Sequence, residues 1–371
     1  MSTRVWASAC VAAAAAALAA RAGEAAEADL ERIEAIVPRH YVCQRTERPP
    51  TIDGRLNEAC WRQAQWTEDF VDIEGADRRV PRFRTRAKML WDEHFFYVAA
   101  ELEEPHVWAT LTERDAVIFQ DNDFEVFIDP DGDTHQYYEF EMNAYGTEWD
   151  LFLVKPYRNG GPAVNAWNID GLKTAVHVAG TIDTPADTDT GWSVELAFPW
   201  RVLRECAGGM AAPPAEGDQW RVNFSRVEWQ IEITPEGYEK VPGRPEDNWV
   251  WSPQGLINMH YPEQWGLVQF TETPVGQAPP PFAPSPADEA RTCLRAVYYR
   301  EHRFREAHGH FTASLDSLDL PAPALRHHQW PPAIEVTSRS FVATLPEAAD
   351  LDGDGDAGCW VIRDDSRVWK E

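Results

Sequence analysis

Positive charge is scarce in this chain: 34 lysines and arginines stand against 61 aspartates and glutamates, a formal net charge of −27. A surface of that sign repels phosphates, which excludes nucleic acid as a partner. Cysteine is sparse as well. The six cysteines include no CxxC pair, so zinc-ribbon and thioredoxin-type centres and a haem-attachment CxxCH are excluded. Catalytic signatures are also missing: there is no GxSxG elbow, HExxH helix, P-loop or dinucleotide fingerprint. Beyond the amino terminus no apolar run approaches the roughly 20 residues of a membrane span, and the chain has no internal repeat.

What remains is rich in core-forming material. Hydrophobic residues make up 44% and aromatics 12% of the 371 residues, with 17 tryptophans, as expected of a folded protein with more than one domain. The amino terminus places Arg4 before an alanine-rich apolar stretch and ends it at Ala20-Arg21-Ala22, the pattern of a signal peptide over residues 1–22. That predicts a secreted or periplasmic protein. Cys43, Cys60, Cys206, Cys293 and Cys359 follow it. An oxidising compartment would permit a bridge between Cys293 and Cys359, while Cys60 reads as a small buried apolar residue.

The proline-rich segment 272–286 lacks periodicity and marks a semi-rigid linker between a large module, residues 40–271, and a small one, residues 287–371. Short strand-like runs dominate the large module: a hairpin turning at Asp92-Glu93, then DLFLV, LKTAVHVAGTI, WSVELAFPW, WRVNFSRVEWQI and WGLVQF. One short helix is expected around residues 56–63. Many short strands with few helices predict a mainly β fold, an antiparallel β-sandwich. In the small module a helix over 288–307 precedes strands SFVATL and CWVIRDDSRVW, a small α+β unit. Trp61, Trp91, Trp192, Trp200 and Trp220 fall on element patterns and are assigned to the core.

The run from Asp123 to Met142 carries the chemistry. Phe124, Val126 and Ile128 share one face of a strand and Asp123, Glu125 and Asp129 the other; Tyr138, Phe140 and Met142 likewise oppose Glu139, Glu141 and Asn143. A turn at Asp131-Gly132-Asp133 would set Glu125 opposite Glu139 and Asp123 opposite Glu141. Like charges across a ladder are destabilising, so either a cation or solvent must compensate them.

Six blocks in order resemble the carbohydrate-binding module family 9-like domains of secreted bacterial proteins: TIDGRLNEACWRQA, AKMLWDEHFFYVAAELEEP, FQDNDFEVFIDPDGD, GWSVELAFPWRVL, WRVNFSRVEW and WSPQGLINMHYPEQWGLVQF. The resemblance spans nearly all of the large module. It implies a β-sandwich, structural calcium, and a site where aromatic rings sandwich a terminal sugar whose hydroxyls meet polar groups. By that correspondence Phe119 takes the first clamp position, and the second falls at Met259 and His260. Glu141 stands where the family has a basic residue, followed by a matching Asn143. With neighbouring aromatics added, the expected ligand-binding set is Phe119, Glu141, Asn143, Trp149, Trp249 and His260. The expected partner is a saccharide or polysaccharide, bound in support of polysaccharide catabolism.

Calcium requires six to eight oxygens, and DPDGD offers Asp129, Asp131 and Asp133 at alternate positions with Gly132 free to take a positive φ. A second acidic loop supplies Asp350, Asp352, Asp354 and Gly355 in the order of an EF-hand's first half. Its twelfth position is Val361 rather than glutamate, so it is expected to be a turn between strands. His308, His310, His327 and His328 are too sparse for a metal site. Two other readings stay open: a glycoside hydrolase, which needs two carboxyls facing one bond, and a haem-binding sandwich with Met259 and a histidine or lysine as axial ligands.

Overall fold

The computed structural model describes residues 31–353 and 355–371. The expected leader, residues 1–22, and Asp354 of the second acidic loop lie outside these described residues. The large module contains strands β1 (His40–Arg45), β2 (Val71–Asp72), β3 (Thr85–Trp91), β4 (Phe95–Glu103), β5 (Asp123–Asp129), β6 (Tyr137–Asn143), β7 (Glu148–Leu153) and β8 (Ala163–Val164). These are followed by β9 (Lys173–Ala179), β10 (Gly191–Pro199), β11 (Gln219–Glu228), β12 (Ile231–Thr234), β13 (Gly237–Lys240), β14 (Asp247–Val250) and β15 (Gly266–Pro274). Two short helices, α1 (Ala59–Gln63) and α2 (Trp200–Leu203), interrupt them.

Hydrogen bonds join the strands in the order β8-β7-β6-β5-β11-β15-β1-β3-β4-β10-β9, with β14 on the edge of β11 and β2 beyond it. This ladder doubles over so that its halves face each other. Phe140 of β6 meets Phe198 of β10 edge-on at 5.9 Å, and Trp220 of β11 meets Trp200 at 5.5 Å. The apolar faces of β5, β6 and β11 therefore share one core with those of β3, β4 and β10, as a sandwich requires. The five tryptophans assigned to the core are all buried in it or beside it.

One expectation needs correction. The sheet is mixed, because β1 runs parallel to both β15 and β3. A parallel pair needs a long crossover, and between β1 and β15 that crossover is nearly the entire module, so local alternation carries no sign of it. The block after Thr51 shows why sequence and fold agree elsewhere. The Glu195 carboxylate of β10 is buried and accepts from the Asp53 and Gly54 amides at 2.9 and 2.7 Å and from the Trp61 indole at 2.6 Å. Gly54, at φ 82°, passes so close to Val176 and His177 that a Cβ would lie 2.5 Å from their backbone, so only glycine fits there.

The β5–β6 register also differs from expectation. Glu125 faces Glu141, Asp123 faces Asn143, and Phe127 faces Glu139. The connecting loop spans residues 130–136 rather than a tight turn at 131–133. Asp129 caps it, accepting from Gly132 N at 3.0 Å and Thr134 N at 2.9 Å, while Gly132, Thr134 and Gln136 all take positive φ. The faces are as expected: the acids share one side and the core residues the other.

In the small module α3 (Pro286–His308) packs on a four-stranded antiparallel sheet of β16 (Ala333–Val336), β17 (Phe341–Pro346), β18 (Cys359–Arg363) and β19 (Val368–Lys370). Ser285 caps the helix, accepting from Ala287 N at 3.2 Å, with Pro286 in the first turn and Gly309 at φ 80° closing the far end. Ala290, Leu294, Val297 and Tyr298 face the sheet. The loop from Asp350 connects β17 to β18, and its described amides at Gly353 and Gly355 donate to Asp350. Cys293 and Cys359 are both free, so the bridge that an oxidising compartment would permit is not formed; Cys293 is instead a buried apolar contact of α3.

The two modules are in intimate contact. The segment after β15 lies along the large module, where Phe282 stacks on His40 at 4.3 Å and Ala283 N donates to Gln269 at 2.8 Å. The small module grips the β5–β6 loop: Arg367 donates to Asp133 at 2.9 Å, Arg291 to the Asp131 carbonyl at 2.5 Å, and Thr134 Oγ1 to the Ser366 carbonyl at 2.9 Å. A second contact is the part-buried pair Arg158–Glu263, in which Arg158 Nη2 donates to both carboxylate oxygens at 2.7 and 3.0 Å and to which Tyr299 of α3 donates its hydroxyl.

Candidate functional site

The acidic face of β5 and β6 turns away from the main core and forms the floor of a cavity of about 370 Å³, a size suited to a small ligand. Glu125, Glu139 and Glu141 line it, yet each is at least nine-tenths buried. The walls are Phe119, from a short 3-10 turn at Ile118–Gln120, Trp149 of β7, Tyr157, and Met259 with His260. The Phe119 and Trp149 rings sit 6.4 Å apart at 31°, and Tyr157 meets His260 edge-on at 4.4 Å.

Each group is held by the strand pairing beneath it. Glu141 Oε2 accepts from Phe119 N at 3.0 Å, and the Phe119 carbonyl accepts from the Trp229 indole at 2.9 Å, which fixes the position of the ring at the rim. Trp149 is directly opposite Glu141 in the β6–β7 ladder. His260 Nδ1 is 2.9 Å from the Tyr137 hydroxyl. Glu139 Oε2 and Trp149 Nε1 are buried and have no hydrogen-bond partner among the described residues. A native fold seldom leaves such groups unpaired unless something outside the chain satisfies them.

Electrostatics reinforce this. Burial and then the charge of Glu125 push the Glu139 and Glu141 carboxyls well above their usual range. Burial likewise raises Glu125 to about 7, and Asp123, behind the floor, is raised by burial and by Glu125. Among the described residues no lysine or arginine lines the cavity. His260 is held near 4 by burial and by the nearby Arg158 charge, which leaves it neutral at pH 7. Ionising this floor therefore requires positive charge or good hydrogen-bond donors from outside.

Of the six expected ligand residues, Phe119, Glu141, Trp149 and His260 converge on this cavity and two do not. Asn143 is fully buried: its amide donates to the Leu111 carbonyl and Asp121, and its oxygen accepts from Tyr145 N and Thr147 N. It fixes the β6–β7 turn and has no hydrogen-bonding capacity left for a ligand. Trp249 is buried as well, because its partner in β11 is Arg226 and its ring packs against Phe83 on the core side. Glu125, Glu139 and Tyr157 were missed by sequence reasoning. The two glutamates were visible as the acidic face of alternating strands; Tyr157 lies on a loop that carries no pattern. For the haem reading, the lining residues include no lysine, and the sole histidine, His260, is Met259's immediate neighbour, so no axial pair spans the cavity.

Asp129, Asp131 and Asp133 are brought together: one oxygen from each lies within 4.8 Å of the others. Burial and then Asp133 raise Asp131 to about 6, and burial with Asp131 raises Asp129 further. The donor set suits a hard cation in chemistry, although the arginines of the small module already offset part of its charge.

Residues 52–217 match the family described as carbohydrate family 9 binding domain-like. This match supports a carbohydrate family 9-like domain over that part of the chain. Similar curated proteins include exoglucanase XynX of Acetivibrio thermocellus, 25% identical over 41% of this chain, and endo-1,4-beta-xylanase A of Thermoanaerobacterium saccharolyticum, 24% identical over 43%. The matched region spans 12% of each of those proteins. Similar solved structures include a putative carbohydrate-binding protein from Bacteroides uniformis, with TM-score 0.47 and 16% identity, covering 63% of this chain and 100% of that one. A family 9 carbohydrate-binding module from Caldicellulosiruptor kristjanssonii in complex with cellotriose has TM-score 0.42 and 15% identity, covering 66% of this chain and 100% of its own.

Proposed function

We propose that this is an exported, non-catalytic saccharide-binding protein that holds a sugar in the cavity floored by Glu125, Glu139 and Glu141, in support of polysaccharide breakdown. One observation carries the reading: an aromatic pair, Phe119 and Trp149, lines the same cavity as three buried carboxyls, and within that lining Glu139 Oε2 is an unpaired acceptor and Trp149 Nε1 an unpaired donor. A pyranose presents an apolar C–H face to such rings and a hydroxyl fringe to such polar atoms. The matching family and the enzymes that carry similar domains support the same class of ligand. No helix among the described residues is long and apolar enough to cross a membrane.

We further propose that Asp129, Asp131 and Asp133 hold calcium, which would lock the β5–β6 loop without taking part in sugar contacts. Isothermal titration with a panel of neutral and charged oligosaccharides tests the binding reading. Saturable binding that is lost in Phe119→Ala and Trp149→Ala is expected. Silence across the whole panel refutes it, and reducing-sugar release abolished by Glu125→Gln would replace it with a hydrolase.

A further inference from the structure

We propose that the saccharide this cavity selects is cationic, an amino sugar with a free ammonium group, rather than a neutral or acidic one; the inference rests on the saccharide-binding reading above. Four acids, Glu125, Glu139, Glu141 and the half-buried Glu246, line the space, and no lysine or arginine among the described residues answers them. His260 is engaged with the Tyr137 hydroxyl. Neutral-sugar sites alternate donors and acceptors because each hydroxyl is both, whereas the floor of this cavity is built of carboxyls, which an ammonium placed among them would hold ionised as acceptors.

An ammonium offers three donors and a charge, which three inward carboxylates can accept together. Glu139, more than nine-tenths buried, lines the same space, and its Oε2 has no hydrogen-bond partner among the described residues. The walls favour an organic cation over a bare metal ion. Phe119, Phe127, Trp149 and Tyr157 present ring surface to the cavity, and aromatic faces attract ammonium groups and also cover apolar sugar carbons. At about 370 Å³ the cavity is far larger than one ion and holds a sugar ring with its substituents. The same acids repel uronates and phosphorylated sugars, so discrimination works by exclusion as well as attraction.

The test is calorimetric titration of the full mature chain at pH 6.5, in chelator, with glucosamine disaccharide, its N-acetylated counterpart and cellobiose. The free amine is expected to bind at least tenfold tighter than either of the others, and Glu139→Gln to remove that preference. The acetylated sugar deletes the charge without touching the protein, so the test stands even where the variant fails to fold. Equal or tighter binding of cellobiose overturns the cationic assignment and leaves saccharide binding intact. Failure of every sugar to bind overturns both. In a separate arm without chelator, calcium chloride that competes with the amine through Glu139 overturns it in favour of an inorganic ion.

Discussion

Replacing Glu125 by glutamine should stabilise the protein, and only at neutral to alkaline pH. Burial raises this carboxyl from 4.5 to about 7, so between those values the folded chain holds a proton that the unfolded chain has released. Stability therefore rises as pH falls from above 7 towards 4.5, and the cost of the ionised group is fully present above 7. At about 1.4 kcal/mol per unit of displacement the cost is roughly 3 kcal/mol as an upper bound, which for a domain of this size is on the order of 5–10 °C in melting temperature. Glutamine keeps the shape and cannot ionise. Differential scanning calorimetry of both proteins at pH 8 and pH 5, in chelator and without sugar, reads the effect directly. The variant should melt several degrees higher at pH 8 and within a degree or so at pH 5. A variant that melts lower at pH 8, or whose offset is the same at both pH values, refutes the claim that this acid is held in a strained, ligand-ready state.

Three further outcomes are expected. Arg226 is fully buried and donates to Glu104 at 2.8 Å and Glu228 at 2.9 Å; Arg226→Met should cost about 3–5 kcal/mol in urea titration, since it strips the buried Glu104 of its charge partner and leaves Glu228 with Arg82 alone. Glu263 is held near 2 because, against its burial, the Arg158 and Arg295 charges and the Tyr299 hydroxyl together favour the carboxylate, and it anchors Tyr299 of α3; Glu263→Gln should increase amide exchange in α3 and around Arg158, with little change in β3, β4 and β10. Removing calcium with a chelator should lower the melting temperature of the wild type and leave an Asp129→Asn variant unmoved, because a ligand that binds the folded state alone stabilises it; an unchanged wild-type curve removes the ion from the account.

The strands and their faces were legible in the sequence because alternation is a local property. Phe124, Val126 and Ile128 face the main core, as period-two reading requires, and the hairpin at Asp92-Glu93 joins β3 to β4. Properties decided by distant chain were not legible. The parallel placement of β1 depends on β15, more than two hundred residues later, and the β5–β6 register depends on Asp129 capping a loop that the small module grips from residues 365–368. The site divides in the same way. Phe119, Glu141, Trp149 and His260 were reached through alternation and resemblance. Trp249 and Asn143 were misplaced because exposure cannot be read from residue type: one ring lies under Arg226, and one amide spends all its bonds on its own turn. That Glu125 and Glu139 are buried rather than solvated comes from the loops carrying Tyr157 and Met259, which no strand pattern announces.

The interlock between Arg367, Arg291 and the β5–β6 loop bears on how the chain would respond to a protease. A nick in the proline-rich connector would sever the covalent tie and leave two fragments still clasped through Asp131, Asp133 and the Tyr299–Glu263 contact. They should travel together through a sizing column until a denaturant parts them. The carboxy-terminal piece thus behaves as a subunit that happens to be encoded in line, and trimming it to obtain a tidier sugar-binding fragment would strip away the brace beneath the strands that carry the glutamates.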